Sequence, residues 1–263
     1  MRRVRTLLLL TTVTLAGAPV AAHAGIVFTA TTRSESPGFD VGRLANATVR
    51  GWADGDLGKI EFLGEPGDTL PEGSALLTTD GGKTVRFFDS VRKSCSPWLG
   101  NAVVGGSTTA PKATKTVSGL KIGLVANEAG PEIAGLATRH YRFIIEYAST
   151  FQSTAPVASS KTELVEELWT TQDLTDPALR MWLDESTWPS GDPAAEEKIA
   201  AALAQAAGVP LRRVSTLSVR SQGGHELKTT VSLEVTKVET KAISASTFEQ
   251  PFRCVGEATS GPS

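Results

Sequence analysis

The octet His140-Tyr141-Arg142-Phe143-Ile144-Ile145-Glu146-Tyr147 sets Tyr141, Phe143, Ile145 and Tyr147 on one side of an extended chain and His140, Arg142 and Glu146 on the other. That period of two is the mark of a β-strand with one buried and one wet face. The same period returns elsewhere. Val231, Leu233 and Val235 alternate with Ser232, Glu234 and Thr236, and Leu120, Ile122 and Leu124 alternate with Lys121 and Gly123. Segments 26–32, 46–52, 59–63, 74–79, 83–88, 164–171 and 214–219 extend the series, with Gly51, Gly55, Gly58 and Gly64 as punctuation. Asp80-Gly81-Gly82 and Gln222-Gly223-Gly224 read as hairpin turns. Together these segments predict a mainly β chain built on an antiparallel sheet.

Two helices interrupt the strands. Asp192 is suited to cap a helix, Pro193 to its first position, and Gly208 and Pro210 to stop it. This predicts a helix over 194–207 with Ile199, Leu203 and Ala206 as a narrow apolar stripe. Asp176 and Pro177 open a shorter helix carrying Leu179, Trp182 and Leu183 on one side. Residues 100–118, rich in Gly, Ser, Thr and Pro, read as a long loop, and 257–263 as an unstructured tail.

The N-terminus obeys different rules. Arg2, Arg3 and Arg5 precede an apolar run from Leu7 to Leu15, and Ala22-His23-Ala24 stands before Gly25. A positive start, a short apolar core and a small-x-small site predict a secretory signal peptide over 1–24. The expected mature chain is a single β domain over 25–256, periplasmic or secreted. Loss of the three leader arginines moves the formal net charge from −2 to −5. Weak acidity with scattered charges lacks the footprint of a nucleic-acid binder, and no later stretch reaches 18 apolar residues, so no transmembrane segment is expected. Cys95 and Cys254 are an even count in an oxidising compartment and are expected to form a disulfide, the alternative being two separate buried thiols. A bridge closing about 160 residues contributes about 5 kcal/mol in the chain-entropy account.

Titratable residues do not converge on a site. His140 and His225 stand outside any metal-ligand spacing. Glu166-Glu167 and Glu196-Glu197 are adjacent pairs whose side chains point apart, and they read as solvated charges. Asp54, Asp56 and Glu61 lack the spacing of a calcium loop. There is neither a nucleophile elbow nor a phosphate-binding glycine loop. The expectation is a non-enzymatic chain with no cofactor and no metal. Trp52, Trp98, Trp169, Trp182 and Trp188 are core or rim residues, several of which are suited to line a pocket.

Three segments carry a resemblance. They are Leu76-Leu77-Thr78-Thr79-Asp80-Gly81-Gly82-Lys83-Thr84-Val85 closing on Phe88-Asp89, Leu164-Val165-Glu166-Glu167-Leu168-Trp169-Thr170-Thr171 with its following Asp-Pro helix, and Ile243-Ser244-Ala245-Ser246-Thr247-Phe248-Glu249-Gln250-Pro251. In that order they resemble a family of exported bacterial domains of unknown function, itself similar to the lipoprotein-carrier (LolA/LolB-like) fold. The resemblance covers most of residues 25–252. It implies a curved antiparallel sheet, an incomplete β-barrel, with helices on the concave side and an apolar concave face that accepts acyl chains.

The implied function is a binding protein carrying a lipid or other hydrophobic ligand. Tyr141, Phe143, Ile145 and Tyr147 then line the concave face, with Trp169 on the neighbouring strand. Leu179, Trp182 and Leu183 on the short helix become a lid. The alternative is a cell-envelope structural or interaction module, with an envelope protein as partner and the concave side filled by the chain's own helices.

Overall fold

The computed structural model describes residues 24–35, 46–98, 114–152, 158–179, 181 and 190–253. Eleven strands form one sheet: β1 (Ala24–Glu35), β2 (Ala47–Asp54), β3 (Leu57–Phe62), β4 (Ala75–Thr78), β5 (Arg86–Asp89), β6 (Ser94–Pro97), β7 (Thr114–Ala129), β8 (Arg139–Gln152), β9 (Ala158–Thr171), β10 (Val209–Ser221) and β11 (Glu226–Ala242). Their spatial order is β6-β5-β4-β3-β2-β1-β11-β10-β9-β8-β7. Every neighbouring pair is antiparallel, and the sheet is curved and unclosed. Two meanders, β1–β6 and β7–β11, are joined side by side where β1 pairs with β11 from Ala24↔Ala242 to Glu35↔Thr230. The incomplete barrel with its helix on the concave side is therefore the observed architecture.

Alternation decides which side chains enter the concave face. Tyr141, Phe143, Ile145 and Tyr147 of β8 are buried there, and the same register brings in Leu164 and Leu168 of β9 and Leu233 of β11. At the other half of the sheet Phe28, Val49, Ile60, Phe62, Leu76 and Phe87 build the largest core cluster. Each such side chain fully taken from water contributes about 1.5–3 kcal/mol. Gly51 and Gly58 are not punctuation between strands. They lie within β2 and β3, where a Cβ on Gly51 would stand 2.1 Å from the Phe28 ring and one on Gly58 2.8 Å from Ala178 Cβ. The hairpin glycines behave as expected, with positive φ at both Gly81 (72°) and Gly82 (88°).

The structure refines the local expectations at several points. The helix α1 (Pro193–Leu203) ends before 207, because Gln205 and Ala206 donate to carbonyls three residues back and tighten the last turn. The expected short helix opens as a 3₁₀ turn at Pro177–Leu179, Met181 beyond it is helical, and 180 and 182–189 lie outside the described residues. β7 begins at Thr114, inside the stretch read as a loop, and β6 was not evident, since Ser94–Pro97 is short and polar. The convex face is also not wholly wet. A 3₁₀ turn at Ala245–Phe248 folds Phe248 onto Ala75, Leu77 and Phe88, with Ile243 and Phe252 alongside. Residues 1–23 of the expected leader, most of the 100–118 stretch and the tail from Glu257 lie outside the described residues.

Candidate binding face

β8 supplies the floor. Tyr141 and Phe143, with Leu168, meet Leu203 and Ala206 at the C-terminal end of α1. Ile145 and Tyr147, with Leu164, meet Ile199 and Leu203, and Leu120 and Ile122 of β7 close one side. Four of the residues expected to share a face therefore share it, and α1 covers them.

Asp192 fastens the N-terminal end of α1. Its Oδ1 accepts from Ala194 N–H at 3.0 Å and Ala195 N–H at 3.2 Å, while Oδ2 accepts from Val117 N–H of β7 at 3.1 Å. The Val117 amide, then those of Ala195 and Ala194, hold the Asp192 carboxyl below the usual carboxylate range. Glu196 Oε1 accepts from Gly191 N–H at 2.7 Å, so this end is capped twice. Lys115 Nζ lies 5.7 Å from the Tyr147 ring centre. Burial pushes the Lys115 ammonium down and the Tyr147 phenol up. Beyond α1, Thr170 Oγ1 donates to the Ala207 carbonyl at 2.6 Å.

Between the two halves of the concave face sits a charged pair. Arg213 Nε and an η-nitrogen donate to Glu166 Oε2 and Oε1, both at 3.0 Å. Ser215 Oγ donates to Oε2 at 2.6 Å. Glu166 is 0% exposed and Arg213 6%. Its reading as a solvated charge is overturned. The two glutamates do point apart, but Glu166 points inward, between Leu164 and Leu168. That period of two was the signal that could have found it.

Trp169 faces the other way. It pairs with His140, not with the floor residues, and the two rings stack at 4.5 Å and 13°. Arg212 lies 5.6 Å from the Trp169 ring, and Glu128 and Glu167 each approach a His140 nitrogen at 3.5 Å. Leu179 is buried, but in the cluster over β2 and β3 with Ala178 and Met181. The structure does not bring Leu179 to the β8 floor, and Trp182 and Leu183 lie outside the described residues. The element over that floor is α1.

Two of the hollows bounded by described residues bear on the site. One of about 540 Å³ is lined by Lys121, Glu146, Tyr147, Lys161, Glu163 and Arg220 among others, and one of about 370 Å³ by Glu132, Ile133, Arg212 and Glu234 among others. Both carry opposite charges on their walls. Among the described residues no group of three or more His, Cys, Asp or Glu could hold a metal ion, and no helix is long and apolar enough to cross a membrane. Cys95 on β6 pairs in register with Phe88, whose ring meets Phe252 edge-on at 5.6 Å. Cys254 lies outside the described residues. No family model, curated protein or solved structure matches the chain.

Proposed function

We propose that the chain is an exported, non-enzymatic binding protein that carries a lipid or other hydrophobic ligand between the concave face of its half-barrel and α1. The observation that carries this reading is the disparity between floor and cover. The floor presents Tyr141, Phe143, Ile145, Tyr147, Leu164 and Leu168, whereas α1 buries only Ala195 and Ile199, adding partly buried Leu203 and, just beyond it, Ala206. A helix of mostly small side chains, fastened at its ends, is a cover that lifts at low cost over a wide apolar surface. The leader motif over 1–24 supports export to the periplasm or beyond. The return of the C-terminal run to Phe252 beside Cys95 supports a Cys95–Cys254 disulfide that pins the chain end to the sheet edge.

A second reading is favoured by the buried Glu166–Arg213 pair. A satisfied ion pair in the middle of the concave face suits a closed core, and hence an envelope structural module whose partner is another protein. Fluorescence titration with a fatty-acid probe separates the two. A carrier binds the probe in the micromolar range or tighter and releases it to unlabelled fatty acid. Probe emission unchanged by the protein would leave the structural module.

A further inference from the structure

β7 closes one edge of the sheet, and among the described residues it pairs with β8 alone. Val117 N–H is taken by Asp192 and the Asn127 carbonyl accepts from Arg139, and no strand among the described residues pairs with the outer side of 120–129. Three large apolar side chains stand exposed among the described residues, and two of them, Leu124 (38%) and Val125 (54%), are adjacent on this edge. Long edge strands with exposed apolar residues are templates for another strand. The usual protections, a lysine and a bulge, are both present, and here they select the partner.

Lys121 and Glu128 are seven residues apart, so a regular strand would put them on opposite faces. The register shift between Leu124 and Ala126 makes Val125 an extra residue. Lys121 therefore pairs with Glu146 and Glu128 with His140, both on the convex face. Three paired positions then separate Leu124 from Lys121 on one side and from Glu128 on the other. A two-fold axis at Leu124 opposes Leu124 with its own copy and Lys121 with the copy's Glu128, twice over. The two bulges fall symmetrically about the axis. A strand without the matching bulge loses this register, and a parallel copy would set like charges together.

We infer that the edge strand β7 is a docking surface for a second copy of this chain, joined antiparallel over residues 120–129 into a continuous sheet across a two-fold axis. Glu128 is 69% exposed, though 3.5 Å from His140 Nδ1, and can turn toward a neighbour. The interface adjoins the floor at Leu120 and Ile122 but is made by the outer edge of β7, so it does not rest on a hydrophobic ligand binding beneath α1.

Sedimentation equilibrium of the full mature chain tests it. The expected result is a reversible dimer whose dissociation constant rises about fivefold or more with Lys121→Glu or Glu128→Lys alone and returns to within about twofold of wild type when both are made. Leu124→Arg should give a monomer, with circular dichroism checking that each variant keeps its fold. A wild type that stays monomeric up to about 100 μM, which is weaker than a specific interface of this kind should be, overturns the proposal. So does a dimer indifferent to the single charge swaps, or one that the double swap fails to restore.

Discussion

Glu166 owes its place to the pleat. Leu164, Glu166 and Leu168 fall on one face of β9, and Arg213 and Ser215 arrive opposite them from β10. A carboxylate without Arg213 would be a buried charge lacking its counter-ion, so Arg213→Ala or Glu166→Ala should each cost about 3–5 kcal/mol in urea unfolding. Replacing both, as Glu166→Leu with Arg213→Met, should recover most of that loss. A double variant no more stable than either single one would mean that the network orders the sheet by more than its own charge balance. A different carboxylate reports on the β4–β5 turn. Thr84's hydroxyl and amide, with Thr78's hydroxyl, hold Asp80 at about 2. A lowered carboxyl pKa stabilises the fold above the ordinary value near 3.8, and that stabilisation is lost as pH falls toward 2. NMR titration of the Asp80 carboxyl carbon should show this midpoint, and Asp80→Asn should flatten the acid limb of the stability curve between pH 4 and pH 2. Residue identity predicted these local roles unevenly. The Asp80-Gly81-Gly82 turn was legible because its glycines announce positive φ, whereas Arg213 lay just before the segment recognisable as a strand.

At the scale of elements, α1 shows what a cap motif can and cannot specify. Asp192-Pro193 marked its start correctly, because an N-cap and a first-turn proline are chemical requirements of the helix end itself. Its C-terminal end was over-read by four residues, since alanine favours helix but does not decide against a tightened last turn. The bond from Val117 N–H to Asp192 is tertiary, and nothing local encodes it. If α1 is a cover, Asp192→Ala should lower the melting temperature by about 2–4 °C and speed fatty-acid probe association in stopped flow. Because the Asp192 carboxyl is held low, the tie persists at neutral pH and weakens as pH falls through its lowered value, with Lys115 and Glu196 facing it throughout. Probe association should therefore quicken toward low pH in the wild type and lose that dependence in Asp192→Ala. Unchanged association in the variant would assign Asp192 to stability alone.

At the scale of the whole molecule, the antiparallel β class was legible from alternation alone, and the curvature followed from the resemblance, not from any single segment. The hairpin neighbours β4–β5 and β10–β11 were legible from their turn glycines, but the join of β1 to β11 was not, because it depends on contacts some 200 residues apart. The same distance hid the division of the concave face. Leu179 and the β8 residues look alike in sequence, yet they join clusters on opposite halves of the sheet. Trp169 went astray for a simpler reason, since its chain neighbour Leu168 takes the inward position and a tryptophan's size says nothing about its parity. The chain end offers its own test: non-reducing peptide mapping should recover a Cys95–Cys254 bridge, and its reduction should cost about 2–5 kcal/mol. Two separate thiols would remove that staple. The carrier reading is tested most directly by hydrogen–deuterium exchange with and without saturating fatty acid. The predicted result is a change confined to 139–152 and 193–206, with the floor strand gaining protection, α1 shifting with it, and β2–β5 unaffected. Exchange unaltered over both segments at saturating fatty acid would contradict a ligand site between α1 and the concave sheet.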